Sequence, residues 1–396
     1  MKKIKPLGRR VVRCMMFFLA VGAPAWAQEF PIIRMVVEER VADCSLGIAG
    51  PFSVQGMKNE VYLRGSYLSV SLLRCADGKI RLGEREIPQR EIILLAQHGD
   101  IRVAGKSFGP CMEISLHAGH AGHAGHAGQP GKPGDRLTLI SLLDLEEYTS
   151  WVIEREMEPT WPLEVLKAQA ILARTNAVYA YQKNKGKRFH LTRYSPQCYE
   201  RIARSGPQVS GAVEETRGFI LTYEENVIPA YFHAVCGGST EAADNVWEGS
   251  EPYPASVPCG YCGDAPKFRW NSRMSLADFR ERLVAGRVRI GEVHDVFAGK
   301  LSAVSDRITE IVIEHSGGKT LVRTNALRGI LGHDVLRSTH FTVRRKGNDL
   351  VFEGKGWGHG VGLCQWGACA MAKAGKNFEE ILQFYYPGVR IVRVKE

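Results

Sequence analysis

Three glutamates, at 154, 156 and 158, close the segment DLEEYTSWVIEREMEP, and a helix there would set them on different faces. Successive residues of an α-helix advance by about 100°. Counted from Leu145, the residues Tyr148, Val152 and Glu156 follow at +3, +7 and +11, so one apolar stripe runs into Glu156 while Glu154 and Glu158 project to the far side. A carboxyl on an apolar face loses hydration, which disfavours its charged form and raises its pKa. Protonated near neutral pH, such a group can donate to a glycosidic oxygen as a general acid. The competing reading is a solvated glutamate at a frayed helix end.

A second constellation is GWGHGVGLCQWGA. Its glycines allow close backbone approach, Trp357 and Trp366 suit the apolar faces of sugars, and His359 and Gln365 offer hydrogen bonds, so the segment reads as a substrate-lining loop. The alternative is that His359 and Gln365 tie the loop's own backbone and the tryptophans are core. Arg174, in VLKAQAILARTNAVYAYQ, has a fork suited to carboxylates and either binds a ligand's carboxylate or pairs with an acid of the fold. Cys259-Gly-Tyr-Cys262 has the spacing of a metal half-site, and Cys236 with the nearby His233 completes a zinc ligand set; His190 and Cys198 are further candidates. A disulfide among Cys236, Cys259 and Cys262 is the rival, while Cys364 and Cys369 read as small buried residues in a Gly/Ala-rich stretch.

The elements that must position these groups point to an α+β fold, because helices and strands occur without regular βαβ alternation. Residues 28–115 carry short apolar runs punctuated by Gly and charge, as in VYLRGSYLSVSLL and EIILLAQ, which predicts a β-rich region. Residues 116–135 hold a His/Ala/Gly repeat running into Pro and Gly, too poor in apolar residues to fold on itself, and predict a mobile loop. Its histidines at 117, 120, 123 and 126 could gather a metal, but a flexible repeat fixes no coordination geometry. Residues 136–396 follow as a further domain. Asp144 caps the helix that ends near Glu156, with Glu146 and Glu147 in its first turn, and a second helix starts near Pro162.

Six Lys/Arg and no acid precede the apolar run CMMFFLAVGAPAWA, which ends in Ala25-Trp26-Ala27, so residues 1–27 read as a cleaved signal peptide and the chain as exported to the periplasm or envelope. The run is too short to span a bilayer, so no membrane anchor is expected after cleavage. Six of the ten net positive charges lie in that leader. The mildly basic remainder lacks the strong patch that nucleic-acid binding demands. Nine cysteines remain beyond the leader, an odd number in a compartment where disulfides persist.

From about Leu143 to Ile391 the chain resembles the SpoIID/LytB family of proteins acting on peptidoglycan. The resemblance rests on YTSWVIEREMEPTWPLEVLKAQAILARTNAVY, GFILTYEENVIPAYFHAVCGGSTEAADNVW, RGILGHDVLRSTHF, GKGWGHGVGLCQWGACAMAKAG and EILQFYYPGVRI, in that order. One departure is Glu158, where the family often has Pro. The resemblance implies a SpoIID-like core and a lytic transglycosylase in which Glu156 cuts the β-1,4 bond between N-acetylmuramic acid and N-acetylglucosamine. It implies glycan strands stripped of stem peptides as substrate and an amidase as partner; for Arg174 the ligand would be the lactyl carboxylate, with a structural ion pair as the favoured alternative. An amidase enhancer without catalysis is the alternative, and a hydrolase using Glu241, Asp244 or Glu248 as a second acid is another. The zinc that some relatives hold through one His and two Cys after the second helix lacks its middle ligand in HLTRYSPQC.

Overall fold

The computed structural model describes residues 31–118, 134–192, 195, 197, 199–201, 206–247 and 253–394. The leader, the repeat histidines 120, 123 and 126, Cys198 and Glu248 lie outside them. The chain forms two compact units, one of residues 1–156, 177–206 and 393–396, the other of residues 157–176 and 207–392.

The first unit is built on twelve strands: β1 (Ile33–Val41), β2 (Asp43–Ile48), β3 (Phe52–Gly56), β4 (Val61–Gly65), β5 (Leu68–Ala76), β6 (Lys79–Leu82), β7 (Arg85–Ile87), β8 (Glu91–Ala96), β9 (Ile101–Val103), β10 (Lys106–Ser107), β11 (Cys111–His117) and β12 (Arg136–Leu143). They form two six-stranded sheets in the orders β1-β12-β11-β8-β3-β4 and β10-β9-β2-β5-β6-β7, with antiparallel neighbours. Strand β8 shows why: Ile92, Leu94 and Ala96 alternate inward and join Val54, Leu73, Ile101, Met112 and Ile114 in one apolar core. Strands occupy most of residues 33–117, and the first sheet continues past Arg136. Strand β12 pairs with both β1 and β11, so its run RLTLISLL completes the first sheet rather than opening a separate domain.

Helix α1 (Leu145–Glu156) follows β12 directly. The Asp144 side chain accepts from the N–H groups of Glu146 (2.9 Å) and Glu147 (3.3 Å), the cap expected from the sequence. Helix α2 (Leu163–Lys183) comes next, and the 184–191 connection returns to the sheet, where His190 N–H donates to Arg34 O at 2.8 Å. On the face of β11 opposite Met112 and Ile114, Glu113 is 5% exposed and takes Arg34 Nη2 at 2.5 Å and Arg188 Nη2 at 3.0 Å. One buried carboxylate thus fastens strand β1 and the returning connection to the sheet.

The second unit contains helices α3 (Pro207–Glu215), α4 (Ala243–Val246), α5 (Leu276–Ala285), α6 (Thr324–Leu331), α7 (Gln365–Lys373) and α8 (Phe378–Tyr385). Its strands are β13 (Phe219–Tyr223), β14 (Asn226–Val227), β15 (Phe232–His233), β16 (Arg269–Ser275), β17 (Val293–Leu301), β18 (Ile308–His315), β19 (Gly318–Arg323), β20 (Phe341–Lys346), β21 (Asp349–Lys355), β22 (Leu363–Cys364) and β23 (Arg390–Arg393). Two antiparallel three-stranded sheets, β16-β21-β20 and β17-β18-β19, enclose with α5 and α6 a core of their own that includes Trp270, Phe279, Ile311, Leu327, Leu350 and Phe352. Ser275 caps α5, and Asn377 with Glu380 forms a capping box on α8. The whole is an α+β fold, as the sequence indicated.

Replacing Glu113 with Gln leaves two buried-side guanidinium groups facing a neutral amide. We expect a loss of about 2–3 kcal/mol, below the full cost of breaking a buried pair because both arginines are partly exposed. Urea unfolding of the purified chain measures it, with Glu86→Gln, in the exposed Lys79/Arg81 cluster, expected to change little.

Candidate functional site

Glu156 ends α1. The stripe read from the sequence is present: Leu145, Tyr148 and Val152 are buried and Glu156 is half-buried at its end. The expectation that Glu156 alone turns inward is too simple, since Glu154 is half-buried as well, whereas Glu158 is exposed. A twelve-residue helix packed on most of its circumference, with Trp151 and Ile153 buried beside the stripe, has too little free surface to keep Glu154 fully in water. The Tyr199 hydroxyl donates to Glu156 Oε1. Tyr199 is itself half-buried, and the adjacent Glu200 pairs with Arg155 at 2.5 Å, so the segment carrying the tyrosine is tied to the helix end beside the carboxylate. Nothing in the spacing of QCYE against EREM signals this pairing, because it depends on how the chain returns after α2.

In the second unit, the run from Gly356 to Gly362 lies along residues 231–236. Trp357 N–H donates to Val235 O (2.7 Å), Val235 N–H to Trp357 O (3.0 Å), and β15 and β22 pair in parallel. The glycines serve this packing. Gly358 and Gly362 have φ of +113° and +71°, and a Cβ on them would lie 2.7 Å from His233 Cβ and 2.0 Å from Tyr231 O. The close approach is thus to the protein's own backbone.

The loop side chains divide accordingly. His359 Nδ1 accepts from Val361 N–H at 3.0 Å, the self-bracing role that the sequence left open. Burial, with the charges of Arg328 and Arg307 next, pushes its pKa down to about 3, so its ring is neutral near pH 7. Around it stand Trp247, His233 and Tyr231, with ring centroids at 5.0, 5.6 and 6.2 Å. Gln365 is buried at the first position of α7. Trp357 is half-buried, with Lys267 Nζ 4.1 Å and Arg337 Cζ 4.8 Å from its ring centre, and Trp366 meets Trp161 edge to face at 5.1 Å. Arg174 is fully buried and donates to the carbonyls of Phe219 (2.9 Å) and Val213 (3.4 Å). Its guanidinium is enclosed by the fold and has no surface to offer a ligand, so the carboxylate-binding expectation is corrected.

Glu241 is not a second acid for hydrolysis. It is 1% exposed, and its carboxylate accepts from Asn245 Nδ2 (3.0 Å), Ala242 N–H (2.9 Å), Ser302 Oγ (3.1 Å) and Ser305 Oγ (2.5 Å). Asp244 is exposed on the short helix α4.

The cysteines gather differently from the sequence reading. Cys236, Cys259 and Cys262 come together, but the fourth member is Cys364, with all four sulfurs within 4.8 Å of one another, a group able to hold a metal. His233 is outside it: its Nδ1–H donates to Val361 O at 3.0 Å, and burial holds its pKa well below the usual histidine range. The parallel β15–β22 pair sets Cys364 opposite His233 and brings it within 3.2 Å of the Cys236 amide, a long-range register that spacing could not reveal. None of the eight described cysteines forms a disulfide.

Comparison with known proteins adds a lineage to this geometry. Residues 134–223, which contain Glu156 and Tyr199, match the model of the stage II sporulation protein family, and residues 262–362 match a domain of unknown function. An uncharacterised protein of Brachyspira hyodysenteriae is 31% identical over 367 residues, covering 91% of this chain and 93% of its own. Stage II sporulation protein D of Bacillus subtilis is 32% identical over 269 residues, 63% of this chain and 74% of that protein. The amidase enhancer of Bacillus subtilis is 30% identical over 284 residues, 61% of this chain but 39% of the enhancer. With that identity to stage II sporulation protein D over most of its length, the chain belongs to the SpoIID family.

Proposed function

We propose that the chain is an exported lytic transglycosylase of peptidoglycan, with Glu156 as the acid and base. The observation that carries the reading is a carboxylate at the end of a packed apolar stripe, held by the Tyr199 hydroxyl, within the family-matching segment. Glu156 protonates O4 of the leaving N-acetylglucosamine as the bond to C1 of N-acetylmuramic acid breaks. The same carboxylate then takes the proton of the muramic 6-hydroxyl as O6 bonds to C1, leaving a 1,6-anhydro end. The nucleophile is internal to the substrate, so no second carboxylate is needed to activate water, in keeping with the full engagement of Glu241. Trp357 and Trp366, both half-buried, are the loop residues we assign to glycan binding, with stripped strands as the preferred substrate. Tyr199 is a positioning residue that fixes the carboxylate. Among the described residues no helix is long and apolar enough to cross a membrane.

The likeness to an amidase enhancer supports a second reading, in which the chain binds the wall and stimulates an amidase without cutting. Stimulation that survives the loss of Glu156 separates the two.

Two outcomes are expected. On stem-peptide-free glycan strands, mass spectrometry should find anhydro-muramic ends with the native chain, formed about 10²–10⁴ times more slowly by Glu156→Gln. Equal rates would overturn the assignment of Glu156, and reducing ends would replace transglycosylation by hydrolysis. Tyr199→Phe should lower kcat by up to about tenfold, the upper end of what one ordinary hydrogen bond contributes, and leave KM unchanged. A rise in KM with constant kcat would make Tyr199 a binding residue instead.

A further inference from the structure

The four-cysteine group has no part in that reaction, yet three separate stretches of chain converge to make it. Cys236 follows β15, Cys259 and Cys262 belong to the connection before β16, and Cys364 ends β22. All four are buried, and each is a free thiol. The Cys236 and Cys262 sulfurs are 3.3 Å apart, well beyond the ~2.05 Å of a disulfide bond. Four sulfurs bound tetrahedrally to zinc at ~2.3 Å stand about 3.8 Å from one another, so the group has the dimensions of such a site.

Its surroundings suit thiolates. The Cys364 sulfur caps α7, accepting from Gly367 N–H at 3.4 Å and from Cys236 N–H at 3.2 Å, and the Tyr385 hydroxyl lies 3.1 Å from the Cys259 sulfur. Arg307, 1% exposed, donates to the Cys236 carbonyl. A divalent ion with four thiolates carries a net charge of −2, which the buried guanidinium and these donors offset. Position in the chain supplies the purpose. The domain of unknown function begins at Cys262 and ends two residues before Cys364, and it has a core of its own.

We propose that Cys236, Cys259, Cys262 and Cys364 form a closed tetrathiolate zinc site that fastens both ends of the 262–362 module to the β15–β22 pair. A soft, four-sulfur, tetrahedral donor set with no open position suits a structural zinc ion rather than a reacting one. Cys369, buried on α7 but outside the group, takes no part. The assignment is independent of the reaction at Glu156.

Elemental analysis of the purified chain tests it. About one zinc per chain is expected, retained in Glu156→Gln and in Cys369→Ser and lost in Cys364→Ser. If Cys364→Ser does not fold, the unaltered chain still decides the matter: produced in cobalt-containing medium, it should show the intense visible bands of tetrahedral cobalt thiolate. A chain with neither zinc nor those bands overturns the proposal. So does peptide mapping that recovers these four cysteines as disulfides.

Discussion

Two stretches of backbone, residues 231–236 and 356–362, run so close that a Cβ cannot fit between them at Gly358 or Gly362. Much of the second unit depends on that contact. It sets the β15–β22 pair, and with it the position of Cys364 beside Cys236. It also turns His359 back onto the Val361 amide within the ring cluster of Tyr231, His233 and Trp247. The 356–362 segment is tightly fitted, and its glycines answer a steric demand of the protein itself. Its neutral histidines follow from the same enclosure, because burial costs the charged imidazolium more than the neutral ring.

The first unit solves a different problem, that of holding a carboxylate at a helix end where backbone restraint is weakest. Helix α1 is stopped at one end by Asp144 and buried along its length by Tyr148, Trp151, Val152 and Ile153. Its final residue is then steadied by Tyr199, while the Arg155–Glu200 pair keeps the tyrosine's segment in place. The sheet beneath is secured where Glu113 meets Arg34 and Arg188. Each of these contacts removes a freedom that the Glu156 carboxylate would otherwise have.

What could be read from the sequence and what could not divide along sequence separation. The alternation of β8, the cap at Asp144 and the apolar stripe of Leu145, Tyr148 and Val152 are local patterns, so the α+β class and the start of α1 were legible. Tyr199 lies 43 residues from Glu156, and Cys364 lies 128 from Cys236, so those partnerships await the tertiary fold. Arg174 shows the converse: its residue type suited a ligand's carboxylate, but helix α2 turns it onto backbone carbonyls. The membership of β12 in the first sheet was hidden because RLTLISLL follows a His/Gly/Pro tract that looks like a domain boundary.

The module between residues 262 and 362 leaves and re-enters the chain at one place, since Cys262 and Cys364 belong to a single sulfur group. An excursion of that size with adjoining ends closes its loop locally, yet the frame is held from inside it, by Arg307 on the Cys236 carbonyl, by Ser302 and Ser305 on Glu241 and by the 356–362 stretch along residues 231–236.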